Sequence, residues 1–185
     1  MLTHYLDIHL RPDPEFPAAH LLSALYAKLH RALVLMGGKQ IAVCFPEMSH
    51  RDVGSQMRLL GPADALDKLM ALDWPRGMRD HAQFEPCLPV PLQHELATLH
   101  RVQAKSSAER LRRRQMKRHG LSYEQACVRV PEGKGRLLNL PFVQLSSGSS
   151  GQKFSLYLQM KPAAAAMEGV FNTYGLSHTA TIPWF

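Results

Sequence analysis

Cysteine is scarce in this 185-residue chain, and its three copies, Cys44, Cys87 and Cys127, are odd in number and far apart. Such spacing excludes a disulfide framework and a Cys-x-x-Cys metal knuckle, and leaves the three as expected buried thiols. The ten histidines include no His-Glu-x-x-His and no close pair with supporting carboxylates, so a metal centre has no support, no cofactor is expected and any catalysis should be metal-free. Apolar runs are short as well. None approaches the roughly 18 residues of a membrane span, and the opening Met-Leu-Thr-His-Tyr-Leu-Asp lacks the basic start and apolar core of a signal peptide, so a cytoplasmic protein with no membrane partner is expected. Internal repeats are missing, and low complexity is confined to the alanines of residues 163–166.

The chain has an ordinary interior and an unusual charge distribution. Its 45% hydrophobic content suffices for one large or two small domains. Residues 101–119 hold eight of the 22 Lys+Arg and one of the 15 Asp+Glu, which leaves 14 of each sign elsewhere, so the formal +7 lies in this segment alone. Ser106 followed three residues later by Glu109 is a capping box, and Gly120 suits a left-handed C-cap, which together predict a helix over about residues 107–119. At about 100° per residue, Arg110, Arg113, Arg114, Lys117 and Arg118 share an arc of roughly 140°. Leu111 and Met116 are its only sizeable apolar side chains, so the helix can bury little. Like charges at i,i+3 and i,i+4 repel by a few tenths of a kcal/mol per pair, and a polyanion would reverse that sign. The competing reading is a solvated or disordered basic tract. The two caps and the confinement of the charge favour a nucleic-acid partner.

Residues 5–10 alternate as a half-buried strand does, and Arg11-Pro-Asp-Pro ends it. A long helix over residues 17–36 follows, with Leu22, Leu25, Leu29, Leu33 and Met36 on one stripe and Gly37-Gly38 as the stop. Strands are expected at 41–45 and at 56–60, the latter with Met57 and Leu59 on one side and Arg58 on the other. A second helix is expected over 63–72, with stripe Leu66, Leu69 and Met70. A proline-interrupted strand at 84–90 completes a βαββαβ order. That order predicts an α+β protein with an N-terminal ferredoxin-like, RNA-recognition-motif-like domain at 1–92, and a C-terminal RNA-binding domain at 93–185 with an arginine-rich helix and a β-hairpin. The aromatic stacking signature of the RNA-recognition motif is missing, so RNA contacts must lie elsewhere. In the second half, a strand over 96–104 leads into the basic helix. A second capped helix starts at Ser122, with Gln125 three residues on, and ends before Pro131. Strands at 142–145 and 154–160 flank the Ser/Gly loop of residues 146–151.

Taken together, these stretches resemble the CRISPR repeat-processing endoribonucleases of type I-F systems. The resemblance is carried by Tyr5-Leu-Asp-Ile-His-Leu-Arg-Pro-Asp-Pro-Glu-Phe-Pro, Lys28-Leu-His-Arg-Ala-Leu-Val, Arg101-Val-Gln-Ala-Lys-Ser, Glu109-Arg-Leu-Arg-Arg-Arg, Leu140-Pro-Phe-Val, the Ser/Gly loop through Phe154, Tyr174-Gly-Leu-Ser and the final Pro-Trp-Phe. It implies a hairpin-specific enzyme that cuts precursor CRISPR RNA at the 3′ base of the repeat stem-loop. The product, with a 2′,3′-cyclic phosphate, would stay bound as part of the type I-F surveillance complex. It further implies catalytic roles for His30, Ser147 and Tyr174, base reading by Arg101 and Gln103, stacking of Phe154 on the terminal base pair, and docking of the arginine-rich helix in the major groove of the stem. Lys117 stands where arginine is usual, which keeps the charge and loses the bidentate fork.

The residues themselves bear on each role. Metal-free RNA cleavage needs a ribose 2′-hydroxyl held in line with the adjacent phosphate and a base to take its proton, a task that suits histidine. His30 falls at the edge of the apolar stripe, about 80° from Leu22, where partial exposure is expected. A serine hydroxyl could hold the 2′-oxygen, Ser147 first and Ser149 if the loop alignment slips. Tyr174 would orient His30 or contact the phosphate without ionising. Arg101 and Gln103, two apart on an expected strand, would share a face and suit guanine and adenine. Arg110, Arg113, Arg114, Lys117, Arg118 and His119 would meet phosphates. A non-catalytic hairpin-binding assembly subunit and a DNA-binding protein are the alternatives.

Overall fold

The computed structural model describes residues 1–103, 108–131, 138–148 and 151–185. Ser106, the expected cap of the basic helix, and Ser149 lie outside them. The elements run β1 (His4–Leu10), α1 (Ala18–Met36), β2 (Ala42–Cys44), β3 (Gln56–Gly61), α2 (Ala63–Met70), β4 (Ala82–Phe84), β5 (Leu88–Pro89), β6 (Glu95–Val102), α3 (Ala108–His119), α4 (Tyr123–Arg129), β7 (Phe142–Ser146), β8 (Lys153–Pro162) and β9 (Ile182–Trp184). The protein is therefore α+β. No helix of the described residues is long and apolar enough to cross a membrane.

Strand order in the first sheet is β2-β3-β1-β4, with β5 also pairing β1, and all of these pairings are antiparallel. Alternation along β1 puts Leu6, Ile8 and Leu10 into one hydrophobic cluster with Leu22, Leu25, Leu29 and Leu33 of α1. Gly37 closes α1 in the left-handed conformation, at φ 60°. The strand expected at 84–90 is split into β4 and β5, because proline breaks the ladder.

The other face of β1 is not solvated. Asp7 and Arg58, directly opposite each other across β1 and β3, are both buried. The Arg58 guanidinium grips Asp7 through Nε at 2.7 Å and Nη2 at 2.8 Å, donates Nη1 to the Phe185 carbonyl at 2.6 Å, and lies 3.8 Å from the Phe185 ring centroid. A strand read only by alternation misses this, because the cover comes from the far end of the chain.

The second sheet has the order β7-β8-β6-β9. Its apolar face, with Val143, Leu145, Leu156 and Leu158, joins the same cluster as α1, and β7 lies against α1. The chain consequently groups into one compact unit of Met1–Arg101 with Leu140–Phe185 and another of Val102–Asn139. The boundary expected at residue 92 is not where these units divide, since the C-terminal strands complete a core begun by the first half.

In the smaller unit, Ser122 caps α4 through the expected reciprocal box, accepting from the Gln125 amide at 3.2 Å while Gln125 Oε1 accepts from the Ser122 amide at 3.0 Å. Gly120 follows α3 at φ 62°. Arg112 is the one buried residue among those described on α3. It donates Nε to the Val130 carbonyl at 2.8 Å, satisfying an acceptor at the end of α4.

Candidate active site

The site is built on a tight turn around Tyr174-Gly-Leu-Ser, one of the stretches that carries the resemblance. Asn172 Oδ1 accepts from the amides of Tyr174 at 2.8 Å and Leu176 at 3.2 Å, while its carbonyl accepts from the Gly175 amide at 2.8 Å. Gly175 adopts φ 69°, and its carbonyl accepts from the Val43 amide of β2 at 2.9 Å. A Cβ on residue 175 would lie 2.8 Å from that same Val43 nitrogen, so only glycine allows the turn to seat on the sheet.

Two side chains of α1, four residues apart and so on one face, hold this turn from the other side. Tyr26 is fully buried and donates its hydroxyl to the Tyr174 carbonyl at 2.6 Å. Burial, with Tyr174 nearby, pushes the Tyr26 phenol far above its ordinary range, so it remains a donor. His30 Nδ1 meets the Thr173 carbonyl at 2.8 Å. A carbonyl can only accept, so Nδ1 carries the hydrogen, and the lone pair of the neutral ring resides on Nε2. The His30 and Tyr174 rings are stacked, with centroids 3.9 Å apart and planes 3° from parallel. His30 is half-buried, as its edge position on the stripe suggested. Backbone and stacking together fix one tautomer and one ring orientation, which is what a general base requires.

Ser147 stands where β7 ends, half-buried, its amide donating to Gln152 at 2.9 Å and its carbonyl accepting from Gly151 at 2.8 Å. The strand that it follows, β7, packs on α1. Ser149 lies outside the described residues.

Of the residues expected to contact RNA, Arg101 sits on β6 with its guanidinium 5.5 Å from the Phe154 ring of β8. Its Nε is buried and has no hydrogen-bond partner among the described residues. Gln103 is exposed and lies past the end of β6, which stops at Val102, so the strand does not give it a face in common with Arg101. Arg110, Arg113, Arg114, Lys117, Arg118 and His119 are exposed along α3. Arg113 pairs with Glu109 at 3.1 Å, one helical turn away. Cys44 is buried, which pushes its thiol up to about 12, whereas Cys87 and Cys127 are half-buried and depart from the fully buried expectation.

Tyr26, Asn172 and Gly175 were missed because each acts through backbone groups. Only Tyr26 left a signal, its position one turn before His30.

A family model described as CRISPR-associated protein (Cas_Csy4) matches residues 5–185. The CRISPR-associated endonuclease Cas6/Csy4 of Pseudomonas aeruginosa (strain UCBPP-PA14) is 49% identical over 187 residues, covering 100% of this chain and 100% of that protein. The CRISPR-associated endonuclease Cas6/Csy4 of Escherichia coli (strain UTI89 / UPEC) is 42% identical over 185 residues, again covering 100% of both. With the match running from the first strand to Phe185, the chain belongs to the CRISPR-associated Cas_Csy4 family.

Proposed function

We propose that this protein is a metal-independent, hairpin-specific endoribonuclease that cuts precursor CRISPR RNA at the 3′ base of the repeat stem-loop. The names of its relatives, CRISPR-associated endonucleases, support the reaction class. One observation carries the mechanism: His30 gives its Nδ1 hydrogen to Thr173 and keeps its Nε2 lone pair. In this reading Nε2 takes the proton of the ribose 2′-hydroxyl upstream of the cut. The freed 2′-oxygen attacks the adjacent phosphorus, the bond to the 5′-oxygen of the next nucleotide breaks, that oxygen takes the proton back from the imidazolium and leaves as a 5′-hydroxyl, and a 2′,3′-cyclic phosphate remains. Tyr174 holds the imidazole plane, and the Ser147 hydroxyl, or Ser149 in its place, positions the 2′-oxygen. Alignment and one base are the sources of rate enhancement.

Recognition is assigned to Arg101 and Gln103 at the foot of the stem and to Phe154 under the terminal pair. The exposed row Arg110, Arg113, Arg114, Lys117, Arg118 and His119 is assigned to stem phosphates. The element order and the strand order β2-β3-β1-β4 favour a ferredoxin-like first sheet. Retention of the product as a subunit of a type I-F surveillance complex completes the reading. Incubation with the repeat RNA of the host's own CRISPR array in EDTA, followed by mapping of the product ends, tests it. One cut at the stem base with a cyclic phosphate end supports the proposal, and binding without any cut would leave a hairpin-binding assembly subunit instead.

A further inference from the structure

The turn that carries Thr173 and Tyr174 is closed from within by Asn172. Its amide donates to the Leu176 carbonyl at 3.0 Å and its carbonyl accepts from the Gly175 amide at 2.8 Å, while Oδ1 accepts from the amides of Tyr174 at 2.8 Å and Leu176 at 3.2 Å. The side-chain oxygen must be the atom that faces these two amides, because an amide nitrogen cannot accept. On either side the backbone is pinned beside β2. The Phe171 amide donates to the Lys39 carbonyl at 3.1 Å, and the Gly175 carbonyl accepts from the Val43 amide at 2.9 Å. Thr173 and Tyr174 lie between these pins. Their carbonyls are met from α1, that of Thr173 by His30 Nδ1 at 2.8 Å and that of Tyr174 by the Tyr26 hydroxyl at 2.6 Å.

A carbonyl fixes the tautomer of a histidine only while it keeps its own place. Asn172 is exposed, so it has little packing to contribute, and what its side chain supplies is an acceptor for two backbone amides. Asparagine is among the few residues whose side chain binds its own backbone two positions on. We infer that Asn172 is a positioning residue for cleavage. Its Oδ1 holds the turn so that the Thr173 carbonyl selects the His30 tautomer and the Tyr174 ring sets the imidazole plane. The inference rests on the endoribonuclease reading, in which Nε2 of that tautomer is the base. Without Oδ1 the Tyr174 and Leu176 amides lose their partner, the turn opens between its two pins, and Nδ1 and Nε2 compete again for the hydrogen. A displacement of about 1 Å among reacting groups costs about 10²-fold in rate.

The test compares wild type with Asn172→Ala and with Asn172→Asp, which keeps an oxygen in reach of both amides. Nitrogen NMR of the His30 ring, recorded on the free protein above about pH 8 where an imidazole is neutral, shows which ring nitrogen carries the hydrogen. The His30 signals are identified by their loss in His30→Gln. Single-turnover cleavage of the host's repeat RNA gives the rate, and the same RNA with a deoxyribose upstream of the cut gives the affinity. Wild type should carry the hydrogen on Nδ1. Asn172→Ala should show both tautomers and cleave roughly 10²-fold more slowly with its RNA affinity retained. Asn172→Asp should restore the Nδ1 tautomer and most of the rate. Should the alanine variant fail to fold, Asn172→Ser, whose hydroxyl binds the same amides more weakly, takes its place and is held to the same outcomes. Either a retained Nδ1 tautomer or a wild-type rate in that variant overturns the inference and leaves the endoribonuclease reading standing, as does an Asn172→Asp protein that folds without regaining the tautomer. Wild type that does not cut the RNA overturns the endoribonuclease reading, and this inference with it.

Discussion

Tyr26 and His30 hold consecutive carbonyl oxygens of one turn: the Tyr26 hydroxyl takes that of Tyr174 at 2.6 Å, and His30 Nδ1 takes that of Thr173 at 2.8 Å. The first bond is structural and the second sets the tautomer of the proposed base, yet both come from one face of α1. The helix that fills the core therefore also registers the turn against the imidazole.

Tyr26→Phe removes the first bond and leaves the Tyr174 carbonyl to find another donor in a buried setting. We expect a loss of about 1 to 3 kcal/mol in stability. Cleavage should slow more than RNA affinity falls, because the turn carries Tyr174. Chemical denaturation and single-turnover kinetics measure the two effects. Equal losses in rate and affinity would contradict the positioning role.

His30→Ala should retain affinity for repeat RNA and lose roughly 10² to 10⁴ in cleavage rate, the usual worth of a general base. Tyr174 separates ring from hydroxyl. Its ring face stacks at 3.9 Å on His30, so Tyr174→Phe should keep most of the activity while Tyr174→Ala loses it. Should the Phe variant fall as far as the Ala variant, the hydroxyl would be the working group.

Gly175→Ala should be severe for a small change. The residue combines φ 69° with a Cβ position 2.8 Å from the Val43 backbone nitrogen, and a strand backbone cannot move aside as a side chain can. The left-handed conformation alone costs an alanine about 1 to 2 kcal/mol. A lower melting temperature together with impaired cleavage is the expected result. A variant as stable and active as wild type would mean that the turn seats differently.

What could be read from the sequence was what depends on local pattern. The stripe through Leu22, Leu25, Leu29 and Leu33, the Gly37 stop, the Ser122 capping box and the exposed basic row on α3 are each written within a few consecutive turns. The elements of the first sheet follow from the same signals. Contacts made at long sequence separation left no such trace. Arg58 reads as an outward residue until Phe185 covers it from 127 positions away. Arg112 reads as one more arginine of a basic run until its partner proves to be a carbonyl 18 residues on. His30 and Tyr174 were legible only as residues of a resemblance, since no periodicity links positions on α1 to a turn beyond β8.

Arg58 offers a test of that long-range closure. Removing it strands the buried Asp7 carboxylate, and breaking a buried pair costs about 3 to 5 kcal/mol. Arg58→Met alone should therefore be strongly destabilised. Adding Asp7→Leu should restore much of the loss, because two apolar residues leave no uncompensated charge. Additive losses in the double variant would show that contact with Phe185, rather than the ion pair, is what matters.

His100 gives a pH dependence whose sign follows from its surroundings. Burial, then His178 and Lys161, lower its affinity for a proton from the ordinary 6.5, with the Gln159 hydrogen bond working the other way. As pH falls, the unfolded chain protonates at this position first, so it binds more protons than the native state and stability drops. The contribution is present in full above about 6.5, erodes as the pH falls through that value, and stops eroding only below the lowered native value. His100→Gln keeps a polar side chain of similar size and removes the titration. Wild type should thus lose more melting temperature than the variant between about pH 7 and about pH 5. Parallel curves would mean that the imidazole is free to charge in the folded protein, as it would be if the segment from Ser177 to His178 did not cover it.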